Sequence, residues 1–456
     1  MKKNLAIYFA LFSLVFVAVS CNLGDEDEYE FSPYALLTSF TLGNVKSAYP
    51  TFTSTGKDTA VVKTVSMANF RFTIDQVTGA VYNNDSLPYG TNTSKIVATF
   101  TVDGIASIYV DSLDSYEHFS QSDSLDFTSP RKVRVYAEDA KYYKDYTISI
   151  NVHQVDPDMM EWSSYPAVEG IVPVRAVEVD GVMYLFGNDA AGASVVASTA
   201  VGAEPAWEVT SVAGLPTTVD FATVQLFGGK LYAVADGNVY SSENGSEWAV
   251  VASGTGAVAI VGASDEDGKL WIAGEQGVSF SEDGVNFTLS EVLPENFPLY
   301  GVSLAAYQLN HHSGITRYML VGYTTEEKNG EPAVWSKLST EDNWTNYANM
   351  DNQYSCPSLK GLAVVRYDKF LYAVGGAGTV NGNSVEAFSS FYISRDNGIA
   401  WKPSTGFYQR LPEELVGSNA LFAVAVDSKN YMWIINSGES GGVWKGILNR
   451  LGFEKQ

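Results

Sequence analysis

Cysteine is nearly absent from this chain, with two in 456 residues, at positions 21 and 356. Basic residues are scarce as well: 28 Lys and Arg stand against 52 Asp and Glu, the formal charge is −24, and no Lys/Arg cluster interrupts it. Such a surface repels a phosphate backbone along most of its length, which excludes nucleic acid as a partner. The acidity itself is read as solubility and colloidal repulsion. Histidine is rarer still. His311-His312 have no Cys, His or carboxylate following at ligand spacing, so neither a metal site nor a cofactor is expected. Asp265-Glu-Asp267-Gly268 reads as a hairpin turn, because the rest of a calcium loop is missing. Helical periodicity is missing too, while Tyr counts 27, Gly 40 and charged residues 18%. That balance suits many short strands and tight turns, and the chain is expected to be all-β.

The one sustained apolar run covers 5–19, behind Lys2 and Lys3. It is too short for a comfortable membrane span and has the layout of a signal peptide, residues 1–20. The following Ala18-Val19-Ser20-Cys21 resembles the lipobox of bacterial lipoproteins, with Ala18 where Leu or Val is more usual. The resemblance implies that Cys21 is diacylated and becomes the mature N-terminus. Residues 21–32 then form a lipidated tether whose acidic stretch, Asp25-Glu-Asp-Glu28, is similar to the export signal of Bacteroidetes surface lipoproteins. Read physically, the stretch is also a solvated linker. The implied address is the outer membrane, lipid-anchored and facing the cell exterior. With Cys21 lipidated, Cys356 has no disulfide partner, and stability must come from burial. Nothing near Cys356 in sequence would activate it, so it is read as a packed residue.

Between 33 and 155, seven short β-type segments are expected: 37–42, 60–65, 68–74, 95–102, 106–110, 132–136 and 146–152. They indicate an antiparallel sandwich. The closing pair, Lys132-Val-Arg-Val-Tyr-Ala137 and Asp145-Tyr-Thr-Ile-Ser-Ile-Asn-Val152, resembles the end of Ig-like modules in Bacteroidetes surface proteins. The stretch from Thr73-Ile-Asp75 to Thr91 looks like the N-terminal module of an uncharacterised lipoprotein family of that phylum, a resemblance that implies no activity. Asp58-Thr-Ala60, Asp85-Ser-Leu87, Asp111-Ser-Leu113 and Asp123-Ser-Leu125 are similar to its O-glycosylation acceptors, and equally to ordinary turns.

From about 159 to 456 one unit recurs. Gly181-Val-Met-Tyr-Leu-Phe-Gly187 is matched by Gly229-Lys-Leu-Tyr-Ala-Val234, Gly268-Lys-Leu-Trp-Ile-Ala-Gly274, Thr316-Arg-Tyr-Met-Leu-Val-Gly322, Lys369-Phe-Leu-Tyr-Ala-Val-Gly375 and Asn430-Tyr-Met-Trp-Ile-Ile-Asn436. Each follows another apolar strand across a turn, as the first two strands of a propeller blade would. A later strand opens on an aromatic residue: Trp207, Trp248, Phe287, Trp344 and Trp401. That leaves six units and five outer strands. Trp162, upstream of the first unit, marks the sixth, so the segment 160–166 is expected to close a six-bladed ring.

Ser394-Arg-Asp396-Asn-Gly398-Ile-Ala-Trp401 resembles the Asp-box of sialidase-like propellers, and Ser241-Ser-Glu243-Asn-Gly245-Ser-Glu-Trp248 resembles it with Glu for Asp. Ser281-Glu-Asp283-Gly284-Val-Asn-Phe287 is a degenerate copy, and 361–376 is similar to a kelch repeat. In such boxes the polar residues stitch a turn and the aromatic packs between sheets, a structural device with no catalytic part. The Arg-Ile-Pro opening of sialidases is missing here. Val172-Pro-Val-Arg175 is a scrambled echo, and the propeller holds six arginines, at 175, 317, 366, 395, 410 and 450. No catalytic residue is assigned, and whether two carboxylates meet at hydrolytic distance is a matter of three dimensions. If the boxes mark one face, the long loops of blades 4 and 5 mark the other. Tyr300, Tyr354, Phe407, Tyr408 and Arg410 are the candidate ligand contacts. The expected function is non-catalytic binding at the cell surface, of glycan first. A scaffold for a surface protein, or a glycoside hydrolase or lyase, is the alternative.

Overall fold

In the computed structural model, residues 33–453 are described apart from 56, 104–106, 113–114, 348–352, 387–389, 405–406 and 437–440. The 1–20 segment, Cys21, the tether and Leu113 lie outside the described residues. The chain is all-β, and it divides into two compact units, 1–155 and 156–456.

The first unit folds one six-stranded and two three-stranded sheets around a single apolar core that includes Leu37, Phe40, Val81, Phe100, Val133 and Tyr146. Arg131–Tyr136 pairs antiparallel with Tyr143–Ser149, which on its other side runs parallel to Ala80–Tyr82. Burial alternates along Tyr143–Ser149, as it must where one face meets a core. At the centre, the Tyr146 hydroxyl accepts from Leu37 N (3.0 Å) and donates to Gln76 Oε1 (2.7 Å). The expected strand over 68–74 is confined to Thr73–Asp75. Conversely, Asn44–Phe52 forms a nine-residue strand paired along its whole length with Asp58–Ser66. Lys46, Ser47 and Pro50 obscure its pattern in sequence, and pairing with a neighbour supplies what local preference does not.

In the second unit, six four-stranded blades make a β-propeller. Asp180 (φ 49°) and Gly181 (φ 80°) turn the chain between the first two strands of blade 1, the backbone a tight two-residue hairpin requires. Blades 2 and 3 share one 16-residue strand, Ala249–Ser264. Its first part pairs with Gly237–Ser242 and its second with Lys269–Gly274. The outermost strand of blade 6 is Met160–Pro166, antiparallel to Gly442–Leu448 from the far end of the chain.

Six apolar clusters hold the ring, one at each blade-to-blade interface. Trp433 of blade 6 lies among Ala176 and Leu185 of blade 1, for example, and Trp401 of blade 5 among Met319 and Val334 of blade 4. No helix among the described residues is long and apolar enough to cross a membrane.

Candidate binding site

The two ends of the ring differ chemically. At one end blades 1 to 5 turn from their third to their fourth strand. In blade 5, Ser394 Oγ donates to Asp396 Oδ1 (2.8 Å) and accepts from Gly398 N (2.8 Å). Ala400 N donates to Asp396 Oδ1 (2.8 Å), and Trp401 Nε1 to the Gly398 carbonyl (3.0 Å). Blade 2 makes the same stitch one residue later than its sequence suggests. The serine that accepts from Gly245 N (2.9 Å) is Ser242, not Ser241, and Asn244 takes the aspartate's part by accepting from Ser246 N and Glu247 N. Glu243 instead pairs with exposed Lys230. Gly245 follows its polar residue directly here, so the turn is one residue tighter than in blade 5, which moves the register. Trp248 Nε1 still reaches the Gly245 carbonyl, at 2.8 Å. Blade 3 repeats the tight form with Ser281 and Asp283.

The acidic turn at 265–267 is likewise structural: Asp265 accepts from Gly228 N (2.7 Å) and Asp267 from the Tyr318 hydroxyl (2.8 Å). Among the described residues no group of three or more His, Cys, Asp and Glu could hold a metal. Cys356 is buried in the interface between blades 4 and 5, and burial pushes its thiol strongly up, out of thiolate range.

At the other end, the starts of the inner strands converge on a cavity of about 340 Å³ at the ring's axis. Five of the six blades or their lead-in segments line it. Arg175 comes from blade 1, Asp220 from the segment before blade 2, Val302, Tyr323 and Lys328 from blade 4, Lys360 and Leu362 from the approach to blade 5, and Phe422 from blade 6. Blade 3 enters on the shared strand, without a separate lead-in loop. Below the cavity the channel continues past Glu178 and Arg366. Glu178 is held by Ser428, whose hydroxyl and N–H both donate to it, and Arg366 lies 4.0 Å from the centre of the Tyr307 ring.

The polar groups of the cavity are unequally satisfied. Lys360 Nζ donates to the Asn419 carbonyl (3.1 Å), and Lys328 Nζ lies 3.9 Å from Asp220 Oδ2. Asp220 also accepts from Ala222 N, capping a short 3-10 turn. Arg175 is different. Some water still reaches its side chain, yet protein surrounds the guanidinium closely enough that burial pulls its pKa down to about 10. Its Nη2 donates to Gln225 Oε1 (3.1 Å), while Arg175 Nε and Gln225 Nε2 are buried without an acceptor.

The five aromatic and basic candidates are not brought together. Tyr300 begins the inner strand of blade 4, beside cavity-lining Gly301. Tyr354 lies at the opposite end, where its carbonyl accepts from Trp401 N (2.8 Å) and Lys402 Nζ sits 4.5 Å over its ring. Tyr408 borders a separate hollow with Arg395 and Asp396 of the blade 5 turn, Phe407 opens the 3-10 turn Phe407–Gln409, and the Arg410 carbonyl accepts from Trp162 Nε1. The cause is the path of the linkers. A chain leaving one outer strand first passes the next blade's turn, as Ala213 does beside Trp248 and Tyr354 beside Trp401, and only afterwards reaches the channel mouth. Arg175 and Gln225 carried a signal that sequence reading passed over, since each is a polar residue within a short apolar inner strand.

A carboxyl raised by burial, the usual mark of a general acid, occurs at Glu291, but it accepts from Trp344 N outside the cavity.

Several solved structures are similar to the chain. The extracellular domain of a proposed one-component system from B. thetaiotaomicron is 12% identical over 75% of this chain, with a TM-score of 0.34, and the chain spans 38% of its length. The WD40 domain of Toxoplasma gondii coronin is 12% identical, covering 64% of this chain and 87% of its own, with a TM-score of 0.33. An α-L-arabinofuranosidase from Fusarium graminearum is 11% identical, covering 63% and 96%, with a TM-score of 0.34. No curated protein matches. Residues 40–150 match the N-terminal domain of the family of unknown function DUF6242, and residues 156–456 match the DUF6242 beta propeller domain, so the chain belongs to the DUF6242 family.

Proposed function

We propose that this protein is a cell-surface lipoprotein, anchored through Cys21, whose propeller binds glycan non-catalytically at the axial cavity. The observation that carries the reading is the cavity itself. It has an apolar wall containing Val302, Leu362 and Phe422, and donors on Arg175, Lys328 and Lys360 around it. Apolar walls with a few convergent polar groups are the usual make-up of a ligand pocket. Of the two carboxylates that line it among the described residues, Asp220 is engaged by Ala222 N and Lys328, and Glu327 stands exposed at the rim. Binding is therefore better supported than hydrolysis. The stitched turns at the far end serve the blades as Asp-boxes do, and leave the channel mouth as the face for a ligand. The N-terminal module, lying between tether and propeller in sequence, acts as a spacer.

Retention on a glycan array, lost when Lys328 and Lys360 are both replaced by alanine, supports the reading. Retention of no glycan together with specific capture of a surface protein overturns it, as does release of reducing sugar from a polysaccharide panel. The anchor is tested separately, because Cys21→Ser protein that still takes up labelled palmitate ends the lipoprotein reading.

A further inference from the structure

We infer that the axial cavity selects ligands carrying an acidic group, a carboxylate or phosphate, whose oxygens are held by Arg175, with Gln225 behind it orienting the guanidinium. The inference deepens the binding reading above and rests on its placement of the site.

The first observation is an uncompensated charge. Arg175 stands on the inner strand Val172–Val179, and among the described residues its protein acceptor is one neutral amide oxygen, Gln225 Oε1. A guanidinium offers five N–H donors in a fixed fork, and one drawn partly out of water without a carboxylate is an unfavourable resting arrangement. Burial lowers its pKa, and among the described residues no neighbouring charge opposes that shift.

The second observation is the amide beside it. Gln225 is 6% exposed and its Nε2 has no acceptor. Its orientation is fixed by chemistry, since turning the amide over would set NH2 against guanidinium. Two donors without acceptors, Arg175 Nε and Gln225 Nε2, therefore flank one Arg–Gln hydrogen bond behind the part of the cavity wall that Arg175 forms. An oxyanion in the cavity compensates the guanidinium charge, whereas a hydroxyl group would leave it uncompensated.

The setting agrees. Among the described residues Arg175, Lys328 and Lys360 outnumber Asp220 and Glu327 around the cavity, in a chain whose net charge is −24. Field lines focus into such a cleft and draw anions to it.

The test uses the full chain and three probes, glucuronate, glucose and inorganic phosphate, with binding read by calorimetry or saturation-transfer NMR. Glucuronate should bind about tenfold or more tightly than glucose, and Arg175→Met should abolish that preference. The ligand-free Arg175→Met protein should also melt no lower than the parent, and up to about 2 °C higher, because it no longer buries an unpaired charge. A purely structural arginine would lower the melting temperature instead. Should Arg175→Met fail to fold, Gln225→Leu carries the test, with a several-fold loss of glucuronate affinity expected.

Equal affinity for glucuronate and glucose, unchanged glucuronate binding by both variants, or absence of glucuronate and phosphate binding at millimolar concentration each overturns the inference. Neutral glycans retained at the cavity beside any of those results would leave the glycan reading standing. Phosphate bound through Arg175, with no glycan retained, would uphold the inference and remove the glycan reading.

Discussion

Trp162 Nε1 donates a 2.8 Å hydrogen bond to the carbonyl of Arg410, 248 residues further along the chain. The same indole stacks on Phe391 of blade 5, with ring centres 6.2 Å apart, and its strand completes blade 6. A ring of blades has one seam, and here the seam is closed by strand pairing between the two ends of the propeller.

Removing 159–168 should therefore destabilise the whole propeller, though the repeats lie beyond it. The deletion exposes the edge of Gly442–Leu448 and takes Met160 out of the cluster between blades 5 and 6. A buried methionine alone is worth about 2–5 kcal/mol. Calorimetry should show the propeller transition moved down by many degrees, and a synthetic peptide of residues 157–169 should raise it again by mass action. An unchanged transition would mean that the seam is held elsewhere.

The register of the blade 2 turn makes a sharper claim. Ser242 Oγ accepts from Gly245 N inside the structure, whereas Ser241 is half-exposed. Ser242→Ala should cost about 1–3 kcal/mol by leaving a buried N–H unpaired, and Ser241→Ala should stay within about 0.5 kcal/mol. Trp248→Ala, which empties a site 6% exposed against Phe186, should cost about 3–5 kcal/mol. Urea titrations of the three variants check the order, and the reverse order for the serines would restore the sequence register.

How far the sequence was legible follows from these residues. The repeated apolar strands and their opening aromatics are dictated by packing between blades, so Trp162, Trp248 and Trp401 could be recognised from spacing alone. Ser242 could not be distinguished from Ser241, because a one-residue change in turn length moves the hydrogen bonds and leaves the composition unchanged. The site was the least legible part. Tyr354 and Tyr408 sit in long loops, but a loop's length does not say which end of the ring it passes first. Arg175 and Gln225, from different blades, meet only once the ring is closed.

Asp283 supplies a pH dependence. Its carboxyl is held far below the usual carboxylate range by donors from Asn286 N, the Asn286 side chain, Val285 N and Ser281. A depressed folded pKa contributes stability that is complete above the unfolded value of about 3.9 and is lost as pH falls through the folded value. Asp283→Asn should thus melt below the parent at pH 7, with the gap closing progressively once the pH drops under about 4. Melting temperatures of both proteins across that range check the sign, and a gap that widens in acid would contradict it.

The two ends of the ring should separate in binding measurements. Tyr408 borders the blade 5 turn, so Tyr408→Ala should leave affinity for a ligand of the axial cavity unchanged. Lys360 lines the cavity mouth, and its loss leaves the mouth intact, because Asn419 Oδ1 still accepts from Ala377 N at 3.0 Å. Rim charges act mainly on encounter and are screened by salt. Lys360→Ala should therefore slow association with an acidic ligand about two- to tenfold at low ionic strength, with dissociation little changed. The difference should shrink in 0.5 M salt, where the screening length falls to roughly 4 Å. If Tyr408→Ala weakens binding while Lys360→Ala does not, the ligand sits at the turn end of the ring and the axial cavity is a product of blade geometry.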